Sequence, residues 1–336
     1  MKKFLLLFLG IFFVSGCGKN NNEDIVKDFI SKVENSKGYL VESNMEIISD
    51  EDTFKYNITA SFKENDYYRV SLVNTINNHE QIILKNDNGV YVITPSLNKS
   101  FKFQSDWPKN SSQAYLISSL VNDLNNDPER TITKSGNEYI VKVKANYVNN
   151  PKLAYQLIYF DKDGELKKVE VCNNEDVKKI IVTYNRVDYK STFSDNYFEL
   201  DEIITENNEE KPKEKETINI IDDIIYPLYI PNDTYLSSKD VINSDNNERV
   251  ILSFTGNKSF VLVEEVSSFS DEFEVIPVYG EPVILNDTYG AISGTSLTWT
   301  SNNIDYYLSS DNLTQEEMMM VATSLSNSLS VYKEGK

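Results

Sequence analysis

The chain has 336 residues, with 33 Lys and Arg against 52 Asp and Glu, a net charge of −19 and an aromatic content of 12%. That acidity repels phosphate backbones and anionic headgroups, which excludes nucleic acid as a partner and excludes general electrostatic adhesion to a membrane surface. The 21 Tyr and 16 Phe are enough to build a core, which excludes a disordered tail.

The first element is an export signal. Lys2 and Lys3 precede an apolar run, Phe4 to Val14, broken only by Gly10. Eleven residues of helix rise about 16 Å, too little for a hydrocarbon core of about 30 Å, so the pattern predicts a secretory signal and not a permanent span. The run ends in Val14-Ser15-Gly16-Cys17, small residues before a cysteine. This predicts lipoprotein cleavage between Gly16 and Cys17, with residues 1–16 removed and Cys17 lipidated. The membrane is then a partner through acyl chains, each buried methylene adding about 0.8 kcal/mol. The mature chain is placed at the extracytoplasmic face of a bacterial membrane. It carries 31 basic and 52 acidic side chains, net −21. Cys172 is its other thiol, so no internal disulfide can form, and the residue reads as a half-buried small side chain ending a strand.

A short polar tether, 17–22, leads into Glu23–Asn35, where Ile25, Val26, Phe29, Ile30 and Val33 recur at helical spacing behind an acidic first turn. The period then drops to two. In Thr53–Lys63, Phe54, Tyr56, Ile58, Ala60 and Phe62 alternate with polar residues, and Tyr68, Val70 and Leu72 repeat the pattern. Such strands belong to an antiparallel sheet with one buried face. Further strands are predicted at Tyr39–Ile48, Glu80–Lys85, Val90–Thr94, Lys99–Gln104, Tyr139–Ala145, Ala154–Phe160, Leu166–Val171 and Lys178–Tyr189. Turn signals such as Glu64-Asn65-Asp66 and Asp161-Lys162-Asp163-Gly164 separate them. One helix, Ser112–Leu124, interrupts the meander.

Residues 23–200 thus read as one α+β domain whose sheet curls around something, either its own helices or a ligand. The charged stretch 201–218 reads as a solvated linker open to proteases, and 219–336 as a small second α+β domain folding independently. Within it, Arg249–Phe254, Ser259–Val266 and the hairpin Ser296–Thr300 with Ile304–Leu308 are strands. A capping box, Thr314 with Glu317, opens a last helix striped by Met318, Ala322, Leu325 and Leu329.

Chemistry is sparse. The chain's single histidine, His79, stands between Asn78 and Glu80 and reads as an ordinary surface residue. A His-based zinc site or a Ser-His-Asp triad would have to run through it, and no Gly-x-Ser-x-Gly or Gly-rich phosphate loop occurs. The turn at Asp161 opens like a calcium loop, but its glycine comes early and its twelfth position is Cys172, so a hairpin turn explains it. No catalytic residue, metal or cofactor is expected.

One segment carries a resemblance. Phe101-Lys102-Phe103-Gln104-Ser105-Asp106-Trp107-Pro108, followed by Ser112-Gln113-Ala114-Tyr115-Leu116, resembles the LolA/RseB-like lipoproteins of Gram-positive bacteria, in particular relatives of the sporulation lipoprotein YdcC and the germination lipoprotein GerS. The tail, with Pro227-Leu228-Tyr229-Ile230-Pro231 and Leu297-Thr298-Trp299, is similar to the small domain that follows in YdcC-type proteins, whereas GerS ends near the first domain. The resemblance implies an unclosed antiparallel β-barrel of LolA/LppX type wrapped on helices. It also implies a non-catalytic binding, scaffold or regulatory role in the envelope during sporulation or germination. The implied partners are an envelope or cortex-modifying protein, or acyl chains held as a lipid carrier or lipoprotein chaperone would hold them. The candidate cavity lining is Phe54, Tyr56, Ile58, Phe62, Tyr68, Val70 and Leu72; packed core and open concavity both fit their spacing.

Overall fold

The computed structural model describes residues 22–49, 52–209, 221, 224–243, 248–267 and 273–334; the signal segment, Gly16, Cys17 and the latter half of the expected linker lie outside them. Helix α1 (Asn22–Glu34) places Glu23 and Asp24 in its first turn and Lys32 in its last, as its dipole favours. A meander follows: β1 (Gly38–Ile48), β2 (Thr53–Lys63), β3 (Tyr67–Asn74), β4 (Glu80–Asn86), β5 (Gly89–Thr94) and β6 (Lys99–Phe103). Helix α2 (Ile117–Asn126) precedes β7 (Thr131–Ser135), β8 (Glu138–Lys144), β9 (Leu153–Phe160), β10 (Leu166–Asn173) and β11 (Lys178–Asp188), and α3 covers Leu200–Glu209. The rest contributes β12 (Thr234–Asn243), β13 (Glu248–Gly256), β14 (Phe260–Val266), β15 (Glu274–Val278), β16 (Glu281–Ile284), β17 (Tyr289–Ile292), β18 (Ser296–Ser301), β19 (Ile304–Ser309) and α4 (Gln315–Glu334).

The alternation read in β2 and β3 is what the sheet uses. Tyr56 pairs with Asn74, Ile58 with Leu72, Ala60 with Val70 and Phe62 with Tyr68, so one apolar row crosses both strands. The turns are made by residues that accept a left-handed backbone: Asn65 (φ 72°) and Asp66 (φ 64°) after β2, and Gly164 (φ 80°) after β9. Around the Asp161 turn the carboxylate Oδ1 accepts the backbone N–H groups of Asp163 and Glu165, the geometry of an Asx turn.

Twelve strands form the first sheet in the order β15-β6-β5-β4-β3-β2-β1-β11-β10-β9-β8-β7. Its inner face packs on α1 through Val26, Phe29 and Val33 and on α2 through Leu120, Val121 and Leu124. The Phe29 and Phe160 rings meet edge to face at 5.2 Å. The outer face is also covered over β4 and β5, where Ile82, Leu84, Tyr91 and Ile93 cluster with Phe198 and Ile203. Burial on both faces explains why Gln81, Ile82, Ile83 and Leu84 form a continuous buried run instead of alternating.

Three expectations need correction. The first half of the expected linker is α3, and Ile203 is the residue that anchors it. The helix expected from Ser112 begins at Ile117, because the Ser119 hydroxyl accepts the Gln113 N–H and holds 112–116 outside the helix. The second unit also does not hang from its linker alone, since β15 runs parallel to β6 as the edge strand of the first sheet, Glu274 to Val278 beside Lys99 to Phe103. The remaining strands form a seven-stranded antiparallel sheet, β12-β13-β14-β19-β18-β17-β16. Helix α4 buries Met318, Val321, Ala322 and Leu325 in that unit's core, and its capping box is formed: the Thr314 N–H donates to Glu317 and the Glu317 N–H to Thr314 Oγ1.

Within this second core lies a buried acid. Glu264 accepts one hydrogen bond, from the Ile225 N–H at 3.2 Å, and its other oxygen has no partner. Burial pushes its pKa up to about 7. A carboxyl raised in the folded state stabilises the fold below its unfolded pKa, and that stability is lost as pH rises through the folded value. Glu264→Gln should therefore melt progressively higher than the native chain as pH rises from about 4.5 to about 8. The gain should reach about 3 kcal/mol, since each tenfold difference in proton affinity between the folded and unfolded chain is worth about 1.4 kcal/mol. A melting difference that stays flat across that range would refute the assignment.

Candidate functional site

The inner face of the first sheet is lined with phenol rings, and the structure shows what they contact. Tyr39 stacks on Phe62 at 4.7 Å, Phe62 tilts against Tyr68 at 5.0 Å and Tyr68 meets Trp107 edge-on at 5.8 Å. The Tyr68 hydroxyl donates to Ser118 Oγ of α2, and burial pushes its pKa up to about 12. Tyr56, Ile58, Tyr68, Val70 and Leu72 are buried, with Phe54 and Phe62 packed half-buried against them. All seven candidate lining residues thus share one interior, but it is occupied by α1, α2 and side chains of the second unit. Of the two readings that the spacing left open, packed core and open concavity, the described residues match the packed core: its own helices fill it, and none of the seven lines either of the clefts that open beside it.

The second unit's contribution is the part no spacing rule could find. The bend between β16 and β17 enters the mouth of the first sheet. The Tyr289 hydroxyl donates to the Tyr115 hydroxyl at 2.8 Å, and burial raises the pKa of both rings. Gln81 Oε1 accepts the Tyr289 N–H at 2.7 Å and the Thr288 hydroxyl at 3.2 Å, while the Tyr56 hydroxyl donates to the Asn286 carbonyl at 2.8 Å. Beside β15, Lys99 is nearly buried and pairs with Asp305 at 2.8 Å and Ser267 Oγ at 3.1 Å. Asn110 donates to Glu281 at 2.6 Å across the same seam.

Two clefts open along this seam. The first, about 250 Å³, has an apolar floor that includes Ile47, Ile180, Val283 and Met319, with a rim of Asn149, Asn150 and Lys152. Tyr147 lines it, and its buried hydroxyl has no hydrogen-bond partner. Behind that wall Asp123 accepts from Ser112 Oγ at 2.9 Å and Gln156 Nε2 at 2.7 Å, and burial pushes its pKa up to about 6. The second cleft, about 220 Å³, is polar and brings His79 beside Asp287, Ser301 and Asn302. His79 therefore sits at the junction of the two units, where its sequence neighbours gave no hint of one. Cys172 is fully buried rather than half-buried, and burial raises its thiol pKa. Among the described residues no cluster of three or more His, Cys, Asp or Glu could hold a metal, and no helix is long and apolar enough to cross a membrane.

Comparison with known proteins places this arrangement. The sequence pattern of the family described as "Sporulation protein YdcC-like" matches residues 1–198. Sporulation protein YdcC of Bacillus subtilis (strain 168) is 35% identical over 333 residues, which cover 96% of this chain and 97% of that protein, so the likeness extends through the second unit. Among solved structures, the Pseudomonas aeruginosa MucA/MucB complex overlays with a TM-score of 0.30 at 10% identity, covering 89% of this chain and 97% of that one. The complex of the Clostridioides difficile CwlD amidase with the GerS lipoprotein overlays at 0.32 with 15% identity, covering 56% and 100%. A LolA-superfamily protein from Nitrosomonas europaea gives 0.31 at 10%, covering 53% and 98%. Overlays this loose say nothing about function, whereas sequence identity along the whole chain does identify kinship: the chain belongs to the YdcC-like sporulation protein family.

Proposed function

We propose that this protein is a non-catalytic binding or scaffold lipoprotein of the sporulating cell's envelope, held at the extracytoplasmic membrane face through a lipidated Cys17. The observation that carries the binding role over a lipid-carrier role is the filled interior. The concave face that an acyl chain would occupy is taken by α1, α2 and Tyr289. The apolar-floored cleft that remains at the seam holds about 250 Å³. Kinship to a sporulation protein along the full length supports the cellular setting.

Native mass spectrometry of mature protein extracted from sporulating cells tests this reading. The expected result is the bare chain, or the chain with a second polypeptide, carrying no acyl mass beyond the N-terminal modification. A stoichiometric fatty acid or phospholipid bound inside a chain lacking Cys17 would overturn it in favour of a carrier. The anchor has its own test. Cys17 precedes α1, the first described element, so Cys17→Ala should move the protein from the membrane to the soluble fraction with its melting temperature unchanged. Retention of the variant in the membrane fraction with its N-terminus processed as in the native chain would reject the anchor.

A further inference from the structure

The apolar-floored cleft at the seam has one wall that packing does not explain. Gln113, Asn149 and Asn150 line it, each half-buried, and none of their side chains is hydrogen-bonded to another described residue. The Tyr147 hydroxyl is buried in the same wall, also without a partner. A buried hydroxyl left unpaired is costly, and native chains rarely keep one without a use. The wall is also held in place. The Ser112 N–H donates to the Asn146 carbonyl at 2.9 Å and the Asn146 N–H to Ser112 Oγ at 2.7 Å, which ties the strand of chain bearing Gln113 to the one bearing Tyr147. Further on, the Asn150 N–H donates to the Tyr147 carbonyl and the Leu153 N–H to the Asn150 carbonyl, both at 3.0 Å. These polar groups are therefore fixed before anything binds, which lowers the entropy lost on binding.

Charge and size narrow the occupant. No acidic side chain lines the cleft, Lys152 pairs with Glu316 at 3.0 Å, and Lys179 is engaged as well. A charged ligand finds no counter-ion waiting. The volume of about 250 Å³ is that of about eight water molecules at about 30 Å³ each. It falls below the roughly 300–1,000 Å³ of pockets that take drug-sized molecules, so a single ring fits. Facing the amides, the floor is aliphatic: Ile47 and Ile180 come from the first unit, Val283 and Met319 from the second. A pyranose matches both surfaces. Its C–H face is apolar, and its hydroxyls, like amides and phenols, can both donate and accept hydrogen bonds.

We propose that the seam cleft binds one neutral pyranose ring. Gln113, Asn149, Asn150 and the Tyr147 hydroxyl bond the sugar hydroxyls, and the aliphatic floor covers the C–H face. The ring touches both units and so ties them together. This adds a small-molecule site to the protein-binding role proposed above, and neither depends on the other. Failure to bind sugars leaves that role standing, with native mass spectrometry as its own test.

The test uses the chain from residue 17 onward, carrying Cys17→Ala so that it is soluble. It is titrated by ligand-observed NMR with glucose and N-acetylglucosamine. Glucosamine and glucuronate serve as cationic and anionic controls, and an N-acetyl dipeptide amide as a neutral control that is not a sugar. At least one neutral sugar should bind with a dissociation constant on the order of 1 mM, the affinity expected of so small a ligand. It should bind at least about fivefold more tightly than any control. Tyr147→Phe should weaken it about fivefold or more, the loss of one hydrogen bond. The melting temperature of the free Tyr147→Phe chain should not fall, because the hydroxyl has no partner there to lose. Asn149→Ala with Asn150→Ala should weaken binding about tenfold or more. Amides in both 147–153 and 282–286 should gain hydrogen-exchange protection when the sugar is bound. The proposal is overturned if neither neutral sugar binds, if a charged sugar or the dipeptide binds more tightly, or if Tyr147→Phe leaves the affinity unchanged.

Discussion

Ile58→Asp should unfold the first unit outright. Ile58 sits in the middle of β2, is almost fully buried and pairs with Leu72, itself buried. A carboxylate placed there finds no cation among its neighbours, because the surrounding side chains of the inner face are aromatic and aliphatic. It must either protonate or stay unpaired in an apolar interior, at about 4 kcal/mol or more, a large fraction of a typical stability of about 5–15 kcal/mol. Val70→Asp on β3 should do the same. Phe54→Asp, half-buried at the rim, should cost far less. Circular dichroism melts of the three variants decide the matter. A stable, cooperatively melting Ile58→Asp protein would mean that this face is open to solvent or ligand after all.

Removing the Tyr289 side chain should uncouple the two units. Tyr289 is buried in the first unit's core although it belongs to the second sheet, and its hydroxyl hydrogen-bonds that of Tyr115. Tyr289→Ala leaves a ring-sized void and an orphaned Tyr115 hydroxyl, which together cost about 3–5 kcal/mol. The loss falls on the seam. The single calorimetric transition expected of the native chain should split into two, with the second unit melting first. Tyr289→Phe keeps the ring and drops the hydroxyl, so it should retain one transition at a slightly lower temperature. A single undivided transition for Tyr289→Ala would show that β15 and the Lys99–Asp305 pair hold the units together without it.

Local pattern accounts for what was legible in the sequence. Strand β2 spans Thr53–Lys63 as its alternation requires, since one of its faces is buried and the other wet. The α4 capping box could be read because both partners lie within four residues of each other. Elements whose environment is set by distant residues were not legible. Strand β12 has no buried face and so no alternation. Strand β15 exists because β6 offers it an edge, and nothing in Glu274–Val278 records that neighbour. The α3 stretch looked like linker because Ile203 and Ile204 are flanked by charge, yet Ile203 is buried against the outer sheet face, Leu200 packs beside it and Glu206 pairs with Arg69. The candidate cavity residues share one face, but part of what fills it beside α1 and α2 comes from Tyr289, more than two hundred residues after Phe62.

The parallel pairing of β15 with β6 also sets a timetable. Glu274 lies opposite Lys99, a separation of 175 residues along the chain. At roughly 5–20 residues per second, the ribosome needs about 9–35 s between the two. Throughout that interval β6 is a bare edge on an otherwise complete meander, the condition in which sheets pair with the wrong chain. A protein built this way gains from being kept extended until its last third is available, as a chain threaded through a translocase is.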